Sequence, residues 1–379
     1  MRQGLNLNDI QNKKKLTSFE TVRENIAETH SLKYADRVVS METVKITPEL
    51  HMEVPGAGVF SLTSWARRQV ASIVGVQWDK WFDPEHIKPA EIQEELQRRF
   101  SRTHDQRKLR LSKFKPGSPG VQECDGYIRA VLSPTYHPID DEKVFDRLGT
   151  KYGAQISELA FMRDHLSKTS NWGNDHCNHY SVISKEPTSL GMIDRNSDNP
   201  AVRRIYDLAE REGKLPDMDY VYHGYHIRNS EVGFTAITID EFNFRLVCLN
   251  GAMMCVGDSR LLYRQHRPID DVELDRQLGD VFDKGPKRWA KTNKNFALLR
   301  EIPVSDPPLV IEKELVKREA PKHFRDASVK AFDLEPLPNM FGVVQAVTRA
   351  AQGYDDMDQR FDFESIAGRI IDDAAKLHA

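Results

Sequence analysis

The sequence predicts an α+β protein in which a central antiparallel meander sheet is packed by helices around a single main core. Three observations predict it. Residues 220–254 contain three successive strand-like runs joined by short turns. On both sides of them, apolar residues recur at helical spacing. The chain has 379 residues, 39% of them apolar, enough to bury a core of that size.

The elements follow in order. Residues 1–36 carry few large apolar side chains and a Lys13-Lys14-Lys15 run, which reads as a flexible N-terminal extension. Residues 37–310 read as the α+β core domain, and residues 311–379 as a C-terminal helical segment packed on it. Alternation through Val44, Ile46, Leu50, Met52 and Val54, ending in Pro55-Gly56-Ala57-Gly58, predicts two short strands around turns. Thr63 or Ser64 caps a helix in which Trp65, Ala66, Gln69, Val70 and Ile73 share a face before Gly75 ends it. A second helix is expected over 89–100, with Pro89 in its first turn. A strand over 127–132 turns at 133–138 into a helix over 142–148. Its opening Pro138-Ile139-Asp140-Asp141 recurs as Pro268-Ile269-Asp270-Asp271, which the preference for aspartate at helix N-termini explains without a duplication. The meander strands are expected at 220–227, 233–239 and 244–249, with turns at 229–231 and 240–243. Two amphipathic helices close the chain after a proline-rich connector at 303–309. In the last, Phe363, Ile366, Ala367, Ile370, Ile371 and Ala374 form one face.

Several function classes lose their usual support. No apolar run approaches the roughly 20 residues that cross a bilayer, and the polar N-terminus does not resemble a secretory signal. Cytoplasmic residence and no membrane partner are therefore expected. Cys124, Cys177, Cys248 and Cys255 form no CxxC pair, the pattern of reduced thiols. No Walker loop, dinucleotide fingerprint, Gly-x-Ser-x-Gly elbow or His-Glu-x-x-His helix occurs, so no cofactor is expected. The net charge of −3 means that any nucleic-acid binding must come from local patches.

The meander carries Arg228-Asn229-Ser230-Glu231-Val232-Gly233, followed by Phe244-Arg245-Leu246-Val247-Cys248-Leu249-Asn250-Gly251. Together these resemble the signature of the phage/plasmid-like family of unknown function. Trp65 with Trp78, then Ile128-Arg129-Ala130-Val131-Leu132-Ser133 with Tyr136 and Pro138-Ile139-Asp140, and Gln345-Ala346-Val347-Thr348 agree in order. The resemblance implies a mobile genetic element in a bacterial host cell and carries no catalytic residue. Within the signature turn, Glu231 is expected either to pair with Arg228 or Arg245 or to line a ligand site. Asn250-Gly251 reads as a tight turn.

Two constellations suggest chemistry. Arg98, Arg99, Arg102, Arg107, Lys108, Arg110, Lys113 and Lys115 crowd one stretch, with Phe100 and Phe114 among them. Lys284, Lys287, Lys291 and Lys294 form a stripe on a helix expected over 284–299, with Trp289 and Phe296 facing away, and Arg260, Tyr263, Arg264 and Arg267 precede it. Such density suits phosphate-backbone binding and aromatics suit base stacking, while solvated helix faces are the plain alternative. The leading expectation is single-stranded DNA binding or annealing in recombination or replication, with possible self-association. His176, Cys177 and His179, with His223 and His226, offer zinc-type donors without a recognised spacing; a metal-dependent enzyme centred there is the alternative, and a host-directed protein-binding factor is a third.

Overall fold

Local signals account for most helix starts. In the computed structural model, which describes residues 16–76, 89–114, 124–157, 159–162, 177–185, 188–192, 218–245, 252–334 and 336–378, the short strand β1 (Leu16–Thr17) leads into α1 (Phe19–Ser31). The Ser18 side chain caps α1 by accepting from the Thr21 N–H. Phe19 and Val22 are buried, with Phe19 against Phe145 and Phe161. The described part of the expected extension is thus a helix anchored to the core, a correction: two apolar residues three apart hold a helix whose average composition is polar. The lysine run lies outside the described residues.

Next come β2 (Arg37–Ser40), β3 (Lys45–Ile46), β4 (Met52–Val54), β5 (Gly58–Leu62), α2 (Ser64–Val74), α3 (Pro89–Phe100), β6 (Gln106–Ser112) and β7 (Gly126–Leu132). The strands form a sheet in the order β2-β6-β7-β5-β4-β3. β5 and β7 are parallel, with Leu62 opposite Ile128, and the other pairs are antiparallel. Thr63 caps α2 and Gly75 ends it in the left-handed conformation. Phe60, Leu109, Leu111 and Ile128 of the sheet pack against Val70 of α2 and Leu96 of α3. The basic stretch begins at the end of α3 with Arg98 and Arg99 and continues, through Arg107, Lys108 and Arg110, in β6, an inner strand of this sheet.

The helix α4 (Asp141–Ser157) carries the chain to a second sheet. Its strands are β8 (Leu159–Met162), β9 (Asn178–Ser184), β10 (Thr188–Met192), β11 (Met218–Asn229), β12 (Ile237–Arg245) and β13 (Ala252–Arg264). The order is β1-β8-β9-β11-β12-β13, with β10 also on β11, and every pair is antiparallel. β11-β12-β13 form a meander and the α+β class holds, but the described parts of the strands expected at 233–239 and 244–249 belong to the one strand β12, and the third strand, β13, lies later in the chain, at Ala252–Arg264. Asp240-Glu241-Phe242-Asn243, expected as a turn, lies inside β12, where Glu241 pairs with Tyr225 and Asn243 with His223.

Four helices follow the long α5 (Asp271–Glu301), where two were expected: α6 (Pro307–Lys317), α7 (Lys322–Phe332), α8 (Met340–Ala351) and α9 (Met357–His378). The helix expected over 284–299 is the C-terminal half of α5, which starts earlier, at Asp271, and is buried both before Pro286, at Leu274, Leu278 and Val281, and after it, at Phe296 and Leu299. Side chains alternate across a strand. Tyr225 and Ile227 of β11, with Tyr180 and Val182 of β9, meet α1, α4 and α5. His226 and Arg228 point the other way, toward α9, where Phe361 stacks on His226 with ring centroids 4.6 Å apart. Phe296, Phe324, Phe341 and Phe363 join α5 to the C-terminal helices. Among the described residues no helix is long and apolar enough to cross a membrane.

Candidate functional site

The signature turn is where the two sheets meet. β11 ends at Asn229, and the next four residues reach toward β6 and β7. Gly233 has φ +81°, a left-handed conformation that favours glycine, and a Cβ there would push aside Leu132 Cδ2, 2.6 Å away. The Glu231 carboxylate is buried between Lys33 Nζ at 2.7 Å and Arg129 Nη2 at 2.8 Å, and it accepts the Asp141 backbone N–H at 2.9 Å. Arg110 donates to the Glu231 carbonyl at 2.5 Å and pairs with Asp140 at 2.9 Å. Burial opposes the charge of Glu231, but Arg129, Lys33 and Arg110 outweigh it and hold this carboxyl far below its usual range. Its neighbour behaves oppositely. Burial, then the charge of Glu231, lifts Asp141 to about 6, although Tyr180 donates to it at 2.7 Å, as do the side chains of Asn229 and Asn178.

Around this turn the Val232 carbonyl accepts from Trp65 Nε1 at 3.0 Å and Gln69 Nε2 at 3.2 Å, and the Ser230 carbonyl accepts from Tyr136. Segments near residues 65, 129, 136 and 140 therefore converge on residues 229–233. Both oxygens of Glu231 are engaged by Lys33, Arg129 and Asp141. The arrangement is a joint rather than a ligand cavity. The expected partners of Glu231 are elsewhere: Arg228 pairs with Asp358 of α9 at 2.6 Å, on the other face of β11. Arg245 ends β12 opposite Ala252. Asn250 and Gly251 lie outside the described residues.

A second polar centre lies between β9, β11 and α9. One donor atom each from Cys177, His179 and Asp358 fall within 4.8 Å of one another. His179 Nε2 stands 3.2 Å from Asp358 Oδ1 yet makes no hydrogen bond. His179 Nδ1 is 3.1 Å from His226 Nε2, and His226 Nδ1 is 2.8 Å from Ser181 Oγ. Burial, reinforced by His179 and Arg228, drives the pKa of His226 well below the usual imidazole value, so this ring is neutral. Burial and the charge of Asp358 push the Cys177 thiol up to about 12 despite Arg228 nearby, which rules it out as a free nucleophile. His223 does not belong to this centre. It faces α5, stacked on Trp289 with centroids 5.6 Å apart and bonded to Asn243. Strand alternation puts His223 and His226 on opposite faces, so the two cannot share an ion; His176 lies outside the described residues.

The two basic regions differ sharply. Arg110 is buried in the joint, Lys108 donates to the Tyr136 carbonyl, and Arg107 pairs with Asp105 at 3.0 Å. Arg98 and Arg99 both pair with Glu95. Arg102 is exposed, and Lys113 lies over the Tyr34 ring at 5.3 Å. Arg110 is thereby removed as a surface contact, and Phe100 is buried. On α5, Lys287, Lys291 and Lys294 are all exposed and make no ion pair with a described residue, whereas Lys284 pairs with Asp280. Phe296 is buried, and Trp289 packs on His223 and Tyr225. Arg264 donates to the Pro268 carbonyl, and Arg260 stands opposite Asp240 in β13.

Sequence reasoning missed Lys33 and Asp358. Each acts on partners far away in the chain, 198 residues in the case of Lys33 and Glu231, and no local pattern marks either. Pro138 and Ile139 of the first Pro-Ile-Asp segment and Pro268, Ile269 and Asp270 of the second line, with Lys143, a cavity of about 440 Å³. Compared with protein-family models, curated proteins and solved structures, the chain matches none.

Proposed function

We propose that the chain binds nucleic acid along the outer face of α5, with a phosphate backbone lying over Lys287, Lys291 and Lys294. The observation that carries this reading is three exposed ammonium groups at i, i+4 and i+7, with no described carboxylate engaging them. The opposite face of the helix is fixed by Trp289 and Phe296, so the cations stand on a rigid support. Each phosphate contact releases a condensed counterion, and the effect adds along the row. Arg102 and Lys113, both exposed, extend the available positive charge.

Single strands are the proposed target. Phe100 and Phe296 are buried and Phe114 packs on Tyr127, so base stacking falls to Tyr263, which is 54% exposed beside Arg264. A part in annealing or recombination on a mobile element, with self-association along the strand, is the setting suggested by the resemblance. Fluorescence anisotropy of the intact chain with single-stranded DNA, duplex DNA and RNA at two salt concentrations tests the reading. Binding should weaken with salt, and single-stranded DNA should bind best. No binding to any of the three at low salt removes the proposal.

A further inference from the structure

The geometry points to a zinc-class metal site formed by the thiolate of Cys177, Nε2 of His179 and the carboxylate of Asp358, with water completing the coordination. Thiolate, imidazole and carboxylate are together the donor set of zinc, and three protein ligands with one open position make a common catalytic or exchangeable arrangement. The inference is independent of nucleic-acid binding by α5, which lies on the other face of the sheet.

Three features carry it. The first is spacing. Two donors bound about 2.1 Å from one tetrahedral ion stand about 3.4 Å apart, and His179 Nε2 is 3.2 Å from Asp358 Oδ1, with the Cys177 donor inside the same 4.8 Å group. The second is an orphaned lone pair. His179 is only 2% exposed, and its Nε2 has no hydrogen-bond partner although Asp358 Oδ1 lies 3.2 Å away. Nδ1 of the same ring is held by His226, which is held in turn by Ser181. When this chain runs from His179 Nδ1–H to His226 and on to Ser181, it presents Nε2 as a ligand, as outer partners of metal-binding histidines do.

The third feature is charge. Arg228 holds Asp358 at 2.6 Å, and by itself it would repel a second cation. Asp362, one turn after Asp358, interacts with Arg228, Asp358 and His179. A Cys177 thiolate with the two aspartates supplies three negative charges against the guanidinium of Arg228 and, at Asp362, that of Arg369, which leaves net negative charge for a divalent ion. The Asp358 side chain is 16% exposed and gives the ion a route in.

The test uses the full-length chain, stripped with a chelator and titrated with zinc and cobalt(II). One ion per chain should bind, and cobalt should give a thiolate charge-transfer band in the near ultraviolet. Cys177→Ser should abolish that band, while Cys124→Ser, at a half-buried thiol elsewhere in the chain, should keep it. His226→Asn should weaken metal binding by about 10- to 100-fold by freeing the His179 ring. Melting curves in zinc and in chelator, recorded for each variant, separate lost ligation from lost folding. If Cys177→Ser does not fold, Asp358→Asn takes its place, and it too should bind no ion. Failure of the folded parent chain to bind near-stoichiometric metal overturns the proposal, as does a cobalt band that survives Cys177→Ser.

Discussion

Residues 98–115 and the face of α5 from Lys284 to Lys294 look alike as strings of basic residues, but the fold uses them in opposite ways. In the first, most cations are consumed: Arg110 is buried against Asp140, Arg107 holds Asp105, and Arg98 and Arg99 share Glu95. In the second, Lys287, Lys291 and Lys294 stand in solvent with no acidic partner among the described residues. The difference follows from the secondary structure beneath. Both faces of the inner strand β6 are covered from Leu109 to Ser112, so its long side chains there are drawn into contacts between elements. An amphipathic surface helix leaves one face in water. Density of charge along a sequence therefore says less about binding than the element that displays it.

The largest effect should come from breaking the consumed cluster. Arg110→Ala leaves Asp140 and the Glu231 carbonyl without their guanidinium, and removing one partner of a buried pair costs about 3–5 kcal/mol. Denaturant unfolding measures it, and a loss below about 1 kcal/mol would mean that the joint contributes little. Trp289→Ala should cost a similar amount, about 3–5 kcal/mol, because its ring packs on His223 and Tyr225. Unchanged stability with weakened binding would instead place that ring at the nucleic acid.

A smaller effect concerns the pair of carboxylates in the joint. Asp141 has its folded pKa raised to about 6 from an ordinary value near 3.8. The folded state therefore takes up a proton between pH 7 and pH 5 that the unfolded chain does not, and this group adds stability as pH falls through that window. Glu231 is shifted the other way, so its contribution is present above its unfolded pKa, near 4.5, and is lost as pH falls below that. Stability measured from pH 7 to 5 should rise more steeply for the parent than for Asp141→Asn. Parallel profiles would show that Asp141 titrates normally.

Smallest in stability, and sharpest for function, is the triple replacement of Lys287, Lys291 and Lys294 by Ala. Solvated lysines on a helix contribute within about 0.5 kcal/mol of stability, and Ala is the better helix former. The slope of log affinity against log salt for single-stranded DNA should flatten by about 0.7 for each phosphate that is no longer neutralised. An unaltered slope transfers the proposed binding to Arg102 and Lys113 and erases the contrast between the two regions.

Elements with local punctuation were legible in the sequence. Thr63 and Gly75 bracket α2 as their residue types suggest, α3 starts at Pro89, and the buried face of α9 follows the spacing of Ile366, Ala367, Ile370 and Ile371. What was not legible depends on distant pairing. β6 gains its strand character from β2 and β7, and basic residues disguise it. Glu241 and Asn243 read as turn formers, yet in β12 they bond Thr292 and His223 across buried space. At the Cys177 centre, sequence pointed to Cys177 and His179 and also to His223, which the alternation of β11 sends to the opposite face. Asp358 approaches from the last helix with nothing in its own neighbourhood to mark it.

The joint at Glu231 also has a consequence for how the chain is made. Lys33, Arg110 and Arg129 are synthesised long before the carboxylate that neutralises them, and even Asp141 precedes Glu231 by 90 residues. At about 5–20 residues per second a ribosome needs roughly 5–20 s to cover that interval. During it the first sheet emerges with Arg129 and Lys33 lacking the carboxylate that they share, a docking surface waiting for its plug. Joining the two sheets is therefore a late, long-range event in biogenesis, and a fragment ending before residue 231 would leave the ribosome with that surface still open.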